Sequence, residues 1–289
     1  MKKSAKMRRQ SRFRLLIQLC AAALFNGYIA GFAKNKIYTG KLKTVCVPVL
    51  NCYSCPGALG SCPIGSIQSL AAGKSHRISF YVLGTLVLFG TVLGRLICGF
   101  LCPFGLIQDL LHKIQTPKLR VPKTPDRIFR YFKYWVLLLT VFLLPMLVTD
   151  RFGRGEPWFC KYICPAGTLE GGIPLLARNG MLRRLAGALF TWKAAVLCLI
   201  LIGSVFISRF FCRYFCPLGA FYSLFNRFAL YQMHVDHQAC TGCGTCAHVC
   251  PMAVDVLKNI NCGECIRCGK CRAACPEDAI HIGHRQTRR

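Results

Sequence analysis

The chain has no C-x-x-C-H haem-attachment site, no G-x-G-x-x-G following a strand, no P-loop and no H-E-x-x-H. These absences remove the usual sequence routes to covalent haem, dinucleotide, nucleoside-triphosphate and zinc-protease chemistry. No nucleophile–base pair stands out in their place. Acidic side chains are also scarce, ten Asp+Glu against 38 Lys+Arg, for a formal charge of +28. Such a balance first suggests nucleic acid. Here, however, the basic residues flank apolar stretches and form no compact stripe, so no nucleic-acid partner is expected. Anchoring at lipid headgroups is the better reading, and part of the excess offsets the negative charge of thiolate-ligated clusters.

What the chain does have is apolar surface and sulfur. Of its 289 residues 54% are hydrophobic, and 21 are cysteine; the mean hydropathy is +0.40. A short secreted chain this rich in cysteine would be a disulfide scaffold. This one is long, apolar and organised in Cys-Pro repeats, which points to metal binding in a reducing setting.

Four apolar runs predict membrane-spanning helices of roughly 20 residues each: Leu15 to Ala33, Ile78 to Ile97, Tyr131 to Thr149 and Ala194 to Phe211. The first follows seven basic residues and is expected to be an uncleaved span; a signal peptide cut near Gly31-Phe32-Ala33 is the alternative. With four spans the loops alternate between faces. The N-terminal arm, the Arg95-to-Lys133 connection and the end of the fourth span with everything beyond it carry 25 basic residues; the Lys34-to-Arg77 and Arg151-to-Lys193 loops carry 13. This predicts a multi-pass protein of the cell membrane, with a cytoplasmic C-terminal domain. Trp135, Trp158, Trp192, Tyr131 and Tyr162 read as an aromatic belt. His76 and His112, which flank spans, read as polar anchors.

The C-terminal segment carries the most specific pattern. Cys240, Cys243, Cys246 and Cys250-Pro251 fit C-x2-C-x2-C-x3-C-P, and Cys265, Cys268, Cys271 and Cys275-Pro276 repeat it. This is the bacterial two-cluster ferredoxin run, in which the fourth cysteine serves the other cluster. One tight turn caps three irons of a cubane, and the fourth iron needs a ligand from elsewhere. The prediction is therefore two [4Fe–4S] clusters, one on Cys240, Cys243, Cys246 and Cys275, the other on Cys265, Cys268, Cys271 and Cys250. Zinc instead favours two separated C-x2-C pairs. Cys262 reads as a spare thiol, and His234, His237 and His248 as surface or packing residues. Val235, Val254, Ile280 and Ile282 are the expected small core. Residues 233–289 form this α+β ferredoxin domain and residues 1–232 an α-helical membrane domain.

Within the first 232 residues C-P-x-G recurs at Cys62, Cys102, Cys164 and Cys216, and three copies have a cysteine four residues earlier: Cys98, Cys160 and Cys212. With the C-terminal ferredoxin run, these C-x3-C-P motifs resemble the NapH-like membrane polyferredoxins, related to NosR-type proteins. The resemblance covers essentially the whole chain and implies four spans, [4Fe–4S] clusters and electron transfer between membrane quinol and redox partners. The chain departs from the family pattern in having three C-x3-C-P motifs where two are common, in its irregular Cys46, Cys52, Cys55, Cys62 set, and in lacking a recognisable flavin-attachment domain.

Each C-x3-C turn offers two ligands, so two turns make one four-thiolate site. Alternating loops pair Cys98 and Cys102 with Cys212 and Cys216 on the inner face. They pair Cys160 and Cys164 with Cys62 and Cys55 on the outer face, with Cys52 in reserve and Cys46 weaker. One or two further Fe–S clusters follow from this pairing. The competing readings are small apolar packing (taken as the whole explanation for Cys20 and Cys198), outer-face disulfides, and simple turns. A hydrocarbon core is ~30 Å thick, so inner and outer clusters exchange electrons only if the turns dip inward or a quinone or partner bridges them; the Pro48-to-Gly73 segment is a candidate re-entrant stretch. Two functions fit: a membrane relay of single electrons between a quinone pool or redox partner and cytoplasmic carriers, or a redox-active assembly or regulatory factor for a metalloenzyme. In either case the partner carries the chemistry.

Overall fold

The computed structural model describes residues 2–34, 36–73, 80–119, 121–151 and 154–284. The chain is mostly helical, with one two-stranded antiparallel sheet near its C-terminus. His76 and the start of the second apolar run lie outside the described residues.

Among the described residues two helices are long and apolar enough to cross a membrane: Thr124–Leu147 (24 residues) and Ala188–Phe206 (19 residues). The first includes a π-helical stretch, Leu137–Leu143, just before Pro145. The other two predicted runs differ from expectation. The N-terminal helix, Lys2–Phe25, stops before Gly27, and a short helix resumes at Ile29–Lys34. It stops because another segment takes over its open C-terminal carbonyls: Phe25 O accepts from Leu59 N (2.9 Å) and from Asn51 Nδ2 (3.4 Å), and Gly57 O accepts from Tyr28 N (3.1 Å). In the second run the described helix, Phe80–Leu93, ends before Ile97 and the chain turns at Gly94, whose φ is +57°. All four helices present large apolar side chains outward, among them Leu24, Phe80, Leu88, Trp135, Leu147, Trp192 and Leu199. Cys20 and Cys198 are exposed too, so core packing does not explain them.

The segment that caps the first helix is itself buried: Val49, Leu50, Asn51 and Ala58 are nearly inaccessible. Most of residues 46–62 therefore lies in the interior, with Tyr53 and Ser54 reaching the surface.

The fourth span ends at Phe206, earlier than predicted, and Arg209 takes a left-handed conformation (φ +53°) that starts the Phe210–Tyr214 helix. The cause is the guanidinium, which turns inward. Nε and Nη2 donate to Asp109 (3.0 and 2.6 Å) and Nη1 to Cys98 O (2.6 Å).

In the C-terminal domain, β1 (Tyr231–Val235) pairs with β2 (Ile280–His284), Val235 opposite Ile280. The domain's first and last segments thus close around the cysteine runs. Met233, Val254, Val256, Ile260 and Ile280 are buried. Val235, opposite the buried Ile280, packs at the edge of this core, whereas Ile282, opposite the buried Met233 at the end of the sheet, is exposed, contrary to expectation.

This domain docks on the helical part. Asn226 Nδ2 donates to Cys262 O (2.6 Å) and Cys265 O (2.9 Å), and Arg267 reaches Leu93 O (3.0 Å). From the first helix, Gln10 Nε2 donates to Cys268 O (3.1 Å). The N-terminal arm, the 95–133 connection and the ferredoxin domain therefore share one end of the molecule. The docking is close: a methyl group at Gly99 would stand 2.5 Å from the Ile266 carbonyl oxygen. Gly99→Val is expected to cost about 1–3 kcal/mol by overpacking and to loosen the domain contact. A lower Tm and faster proteolytic clipping near residue 232 would register this; an unchanged digest would refute it.

Candidate metal centres

Both cysteine runs of the ferredoxin domain adopt one backbone pattern. Positive φ occurs at Gly242 and Arg267, at Gly244 and Gly269, and at Ala253 and Asp278, each pair being equivalent positions of the two runs. The left-handed residues wind each run into a turn whose thiols face one space. Cys240, Cys243, Cys246 and Cys275 line a cavity of about 340 Å³, open mouth included. Cys250, Cys265, Cys268 and Cys271 line a second of about 340 Å³. Each cavity therefore draws three thiols from one run and the fourth from the other. Cys262 lines neither. Among the described residues no three His, Cys, Asp or Glu side chains converge closely enough to hold a single ion; the thiols ring a space, the arrangement a cubane's four iron–sulfur bonds require.

In the helical part each C-P-x-G motif works as a helix start. Cys62, Cys102 and Cys216 are N-cap residues with extended backbone, followed by proline at the first helical position. The glycine amide points back at sulfur: Gly167 N lies 3.4 Å from Cys164 Sγ and Gly219 N 3.3 Å from Cys216 Sγ. Amides at a helix N-terminus favour a thiolate. The motif glycines also lie against cysteines of other segments: a Cβ at Gly167 would be in van der Waals contact with Cys52 Sγ (3.7 Å) and one at Gly65 with Cys160 Sγ (3.9 Å).

Cys98, Cys102, Cys212 and Cys216 form the inner group. Burial, then the charges of Cys212 and Cys98, push the Cys102 and Cys216 thiols well above the ordinary range. Around Cys160 and Cys164 the structure brings Cys62 and the reserve residue Cys52. Burial, then Cys62 and Cys52, push Cys160 to about 12, and Cys164 is raised by burial and then by Cys160, Cys52 and Cys62. Cys52 Sγ lies beside Gly167 and Gly171, next to Cys164. The reason is local: Glu170 Oε2 accepts from Cys52 N (3.0 Å) and fixes that turn, whereas Cys55 Sγ faces Asn26 Oδ1 (3.7 Å). Burial pushes the Glu170 carboxyl up to about 7, the Cys52 amide opposing it. Cys46 lies in the same loop beside Cys62. All of these cysteines are free thiols.

Sequence reasoning missed the polar residue six positions after the motif cysteine. Gln68 Nε2 lies 3.6 Å from Cys160 Sγ and Gln108 Nε2 3.0 Å from Cys212 Sγ. At the fourth motif this position is Tyr222, fully buried, its hydroxyl donating to Pro48 O (2.9 Å). Tyr222 thereby joins the inner helix to the outer loop. One continuous core contains Cys62, Cys164, Cys98, Cys102, Cys212, Cys216 and Cys268.

Three carboxylates near these sites each serve two cations: Glu264 with Arg95 and Lys133, Asp109 with Arg14 and Arg209, Asp126 with Arg130 and Arg213. Each triad leaves a net positive charge, and Arg95 Nη2 also donates to Cys212 O (3.2 Å). Burial pushes the Asp109 carboxyl up, but Arg209 and Arg14 pull it further down, to well below the ordinary range. Its folded pKa is therefore below its unfolded value. The stability it contributes is complete above about pH 4 and is lost as pH falls further. Asp109→Asn is expected to lower Tm at pH 7 and to flatten its decline below about pH 4. A variant whose Tm falls with acid as steeply as the parent's would contradict this.

Comparison with known proteins gives the same chemistry. Residues 76–122, 134–178 and 189–232 match the family described as 4Fe-4S binding domain, and residues 232–276 the 4Fe-4S dicluster domain. The chain is 30% identical over 229 residues to the uncharacterized protein MJ0750 of Methanocaldococcus jannaschii, covering 77% of this chain and 86% of that one. It is 30% identical over 201 residues to the methylamine utilization ferredoxin-type protein MauN of Paracoccus denitrificans, covering 68% and 62%. It is 27% identical over 176 residues to the regulatory protein NosR of Stutzerimonas stutzeri, covering 58% of this chain and 21% of NosR. No solved structure matches.

Proposed function

Because the chain belongs to the family of ferredoxin-type proteins with 4Fe-4S binding domains, we propose that it is a membrane-bound relay of single electrons. It holds four clusters: two in the ferredoxin domain, on the ligand sets that line the two cavities, and two in the helical domain, on Cys98, Cys102, Cys212 and Cys216 and on Cys52, Cys62, Cys160 and Cys164. The observation that carries this reading is the continuous core from Cys268 through the inner thiols and Tyr222 to the outer thiols. Electron tunnelling needs such a packed medium between centres. Outward-facing apolar side chains on all four long or interrupted helices support a bilayer setting. The sharing of one end by the basic N-terminal arm and the ferredoxin domain supports a cytoplasmic position for that domain. On this reading, the NapH-like resemblance extends to exchange with a quinone pool or a redox partner protein.

Membrane vesicles carrying the protein test the proposal. Addition of a quinol, or of a reduced partner, is expected to reduce the clusters as followed by EPR. Clusters that stay oxidised with every donor of adequate potential would refute the relay. The regulatory designation of NosR favours one second reading, a redox-active assembly or regulatory factor. It predicts that deletion leaves electron flux intact while a metalloenzyme accumulates without its metal.

A further inference from the structure

Gln68 and Gln108 stand at the same place in the first and second motifs, and each makes the same set of contacts. In both, Oε1 accepts from the main-chain N–H just before the partner cysteine: Phe159 N and Phe211 N, each 3.1 Å. In both, Nε2 approaches a carbonyl of its own helix at 3.4 Å, Ile64 O and Phe104 O. A main-chain N–H can only donate, so it determines which end of each amide is oxygen and turns the NH2 toward sulfur. Both side chains are fully buried. There an N–H aimed at a ligand sulfur counts for more than it would in water, and it stabilises the more electron-rich, reduced cluster.

The two sites are not equal. Gln108 approaches Cys212 Sγ at 3.0 Å, and Gln68 approaches Cys160 Sγ at 3.6 Å, beyond a strong contact. The inner site also has two fully buried guanidiniums on its ligand carbonyls, Arg95 on Cys212 O and Arg209 on Cys98 O, each in a triad of net positive charge. The outer site has the half-buried Lys193 on Cys160 O (3.2 Å) and the buried Lys43 in the loop carrying Cys55, with the Glu170 carboxylate beside Cys52.

We propose that Gln108 and Gln68 are paired potential-setting residues, and that the closer Gln108 contact, with Arg95 and Arg209, makes the inner cluster the more easily reduced of the two. This rests on the reading of the inner and outer thiols as cluster ligands. The role is one of positioning, since each glutamine acts through a ligand sulfur.

The test is redox-titrated EPR with iron quantitation on the detergent-purified full chain. Gln108→Met removes both donor and acceptor; Gln108→Glu keeps the acceptor for Phe211 N and removes the N–H. Both are expected to lower the midpoint of one cluster and leave the rest in place. Gln68→Met should shift a different cluster by less, and that cluster should be the lower of the two in the parent protein. Unmoved midpoints in cluster-replete variants, or a larger shift from Gln68→Met, would overturn the assignment. If the variants lose the cluster, the parent protein still decides. With 15N-glutamine label, hyperfine coupling to a reduced cluster supports the contact, and its absence defeats it. A parent protein with only two clusters would instead remove the ligand reading itself.

Discussion

Cys98→Ser combined with Cys216→Ser in the full chain is expected to lower bound iron from about sixteen to about twelve atoms per chain, the content of one [4Fe–4S] cluster. The loss should be clean because the inner site takes one ligand pair from each of two turns more than 100 residues apart in sequence. With one thiol of each pair gone, neither turn can hold a cubane. The ferredoxin-domain EPR signals should persist, since their ligands come entirely from residues 240–275. The outer site gives a sharper contrast. Cys52→Ser is expected to cost a further cluster, because its sulfur faces Gly167 and Gly171 beside Cys164. Cys55→Ser, whose sulfur faces Asn26, should leave iron unchanged. Equal iron in the Cys52→Ser and parent proteins would refute the outer ligand set. So would loss from Cys55→Ser alone.

The second large effect is expected at the domain junction. Glu264 lies between Arg95, 3.0 Å away, and Lys133, and both cations are fully buried. Burial pushes the Glu264 carboxyl up, yet Arg95 and Lys133 outweigh it and leave it below the ordinary range. Glu264→Ala strips two desolvated cations of their counter-charge. Breaking a buried pair in this way costs about 3–5 kcal/mol. Arg95 also holds Gly263 O (2.8 Å) and Cys212 O, so the ferredoxin loop and the inner site should loosen together. Thermal unfolding should show the drop, and adding Lys133→Met should restore part of it by removing one stranded charge. A Glu264→Ala protein with parental Tm would exclude the junction as a stabilising element.

The ferredoxin runs were legible from the sequence because their chemistry is local. Eight cysteines at fixed short spacings can wind into only a few turns, and the proline after each fourth cysteine directs the chain away. The apolar helices Thr124–Leu147 and Ala188–Phe206 were legible for a related reason: each is a continuous apolar stretch. The length of the first two helices was not legible. Their apolar runs continue past the point where residues 51–59 cap one helix and Gly94 turns the other. A hydropathy pattern records no contact with a distant segment.

The chain's order of residues by itself determined the two ferredoxin cysteine runs, the repeated C-P-x-G turns and the 4Fe-4S character of the chain. Only the tertiary structure decided that the sulfur of Cys52 lies beside Cys164 while that of Cys55 faces Asn26, that Gln68 and Gln108 turn their amides to sulfur, and that Tyr222 ties its helix to the 46–62 loop. The physical reason is distance along the chain. A turn is specified by neighbours a few residues away. A thiol's second-site partner, its N–H donor and its counter-charge come here from segments about 90 to 170 residues off, brought together by burial of one shared core.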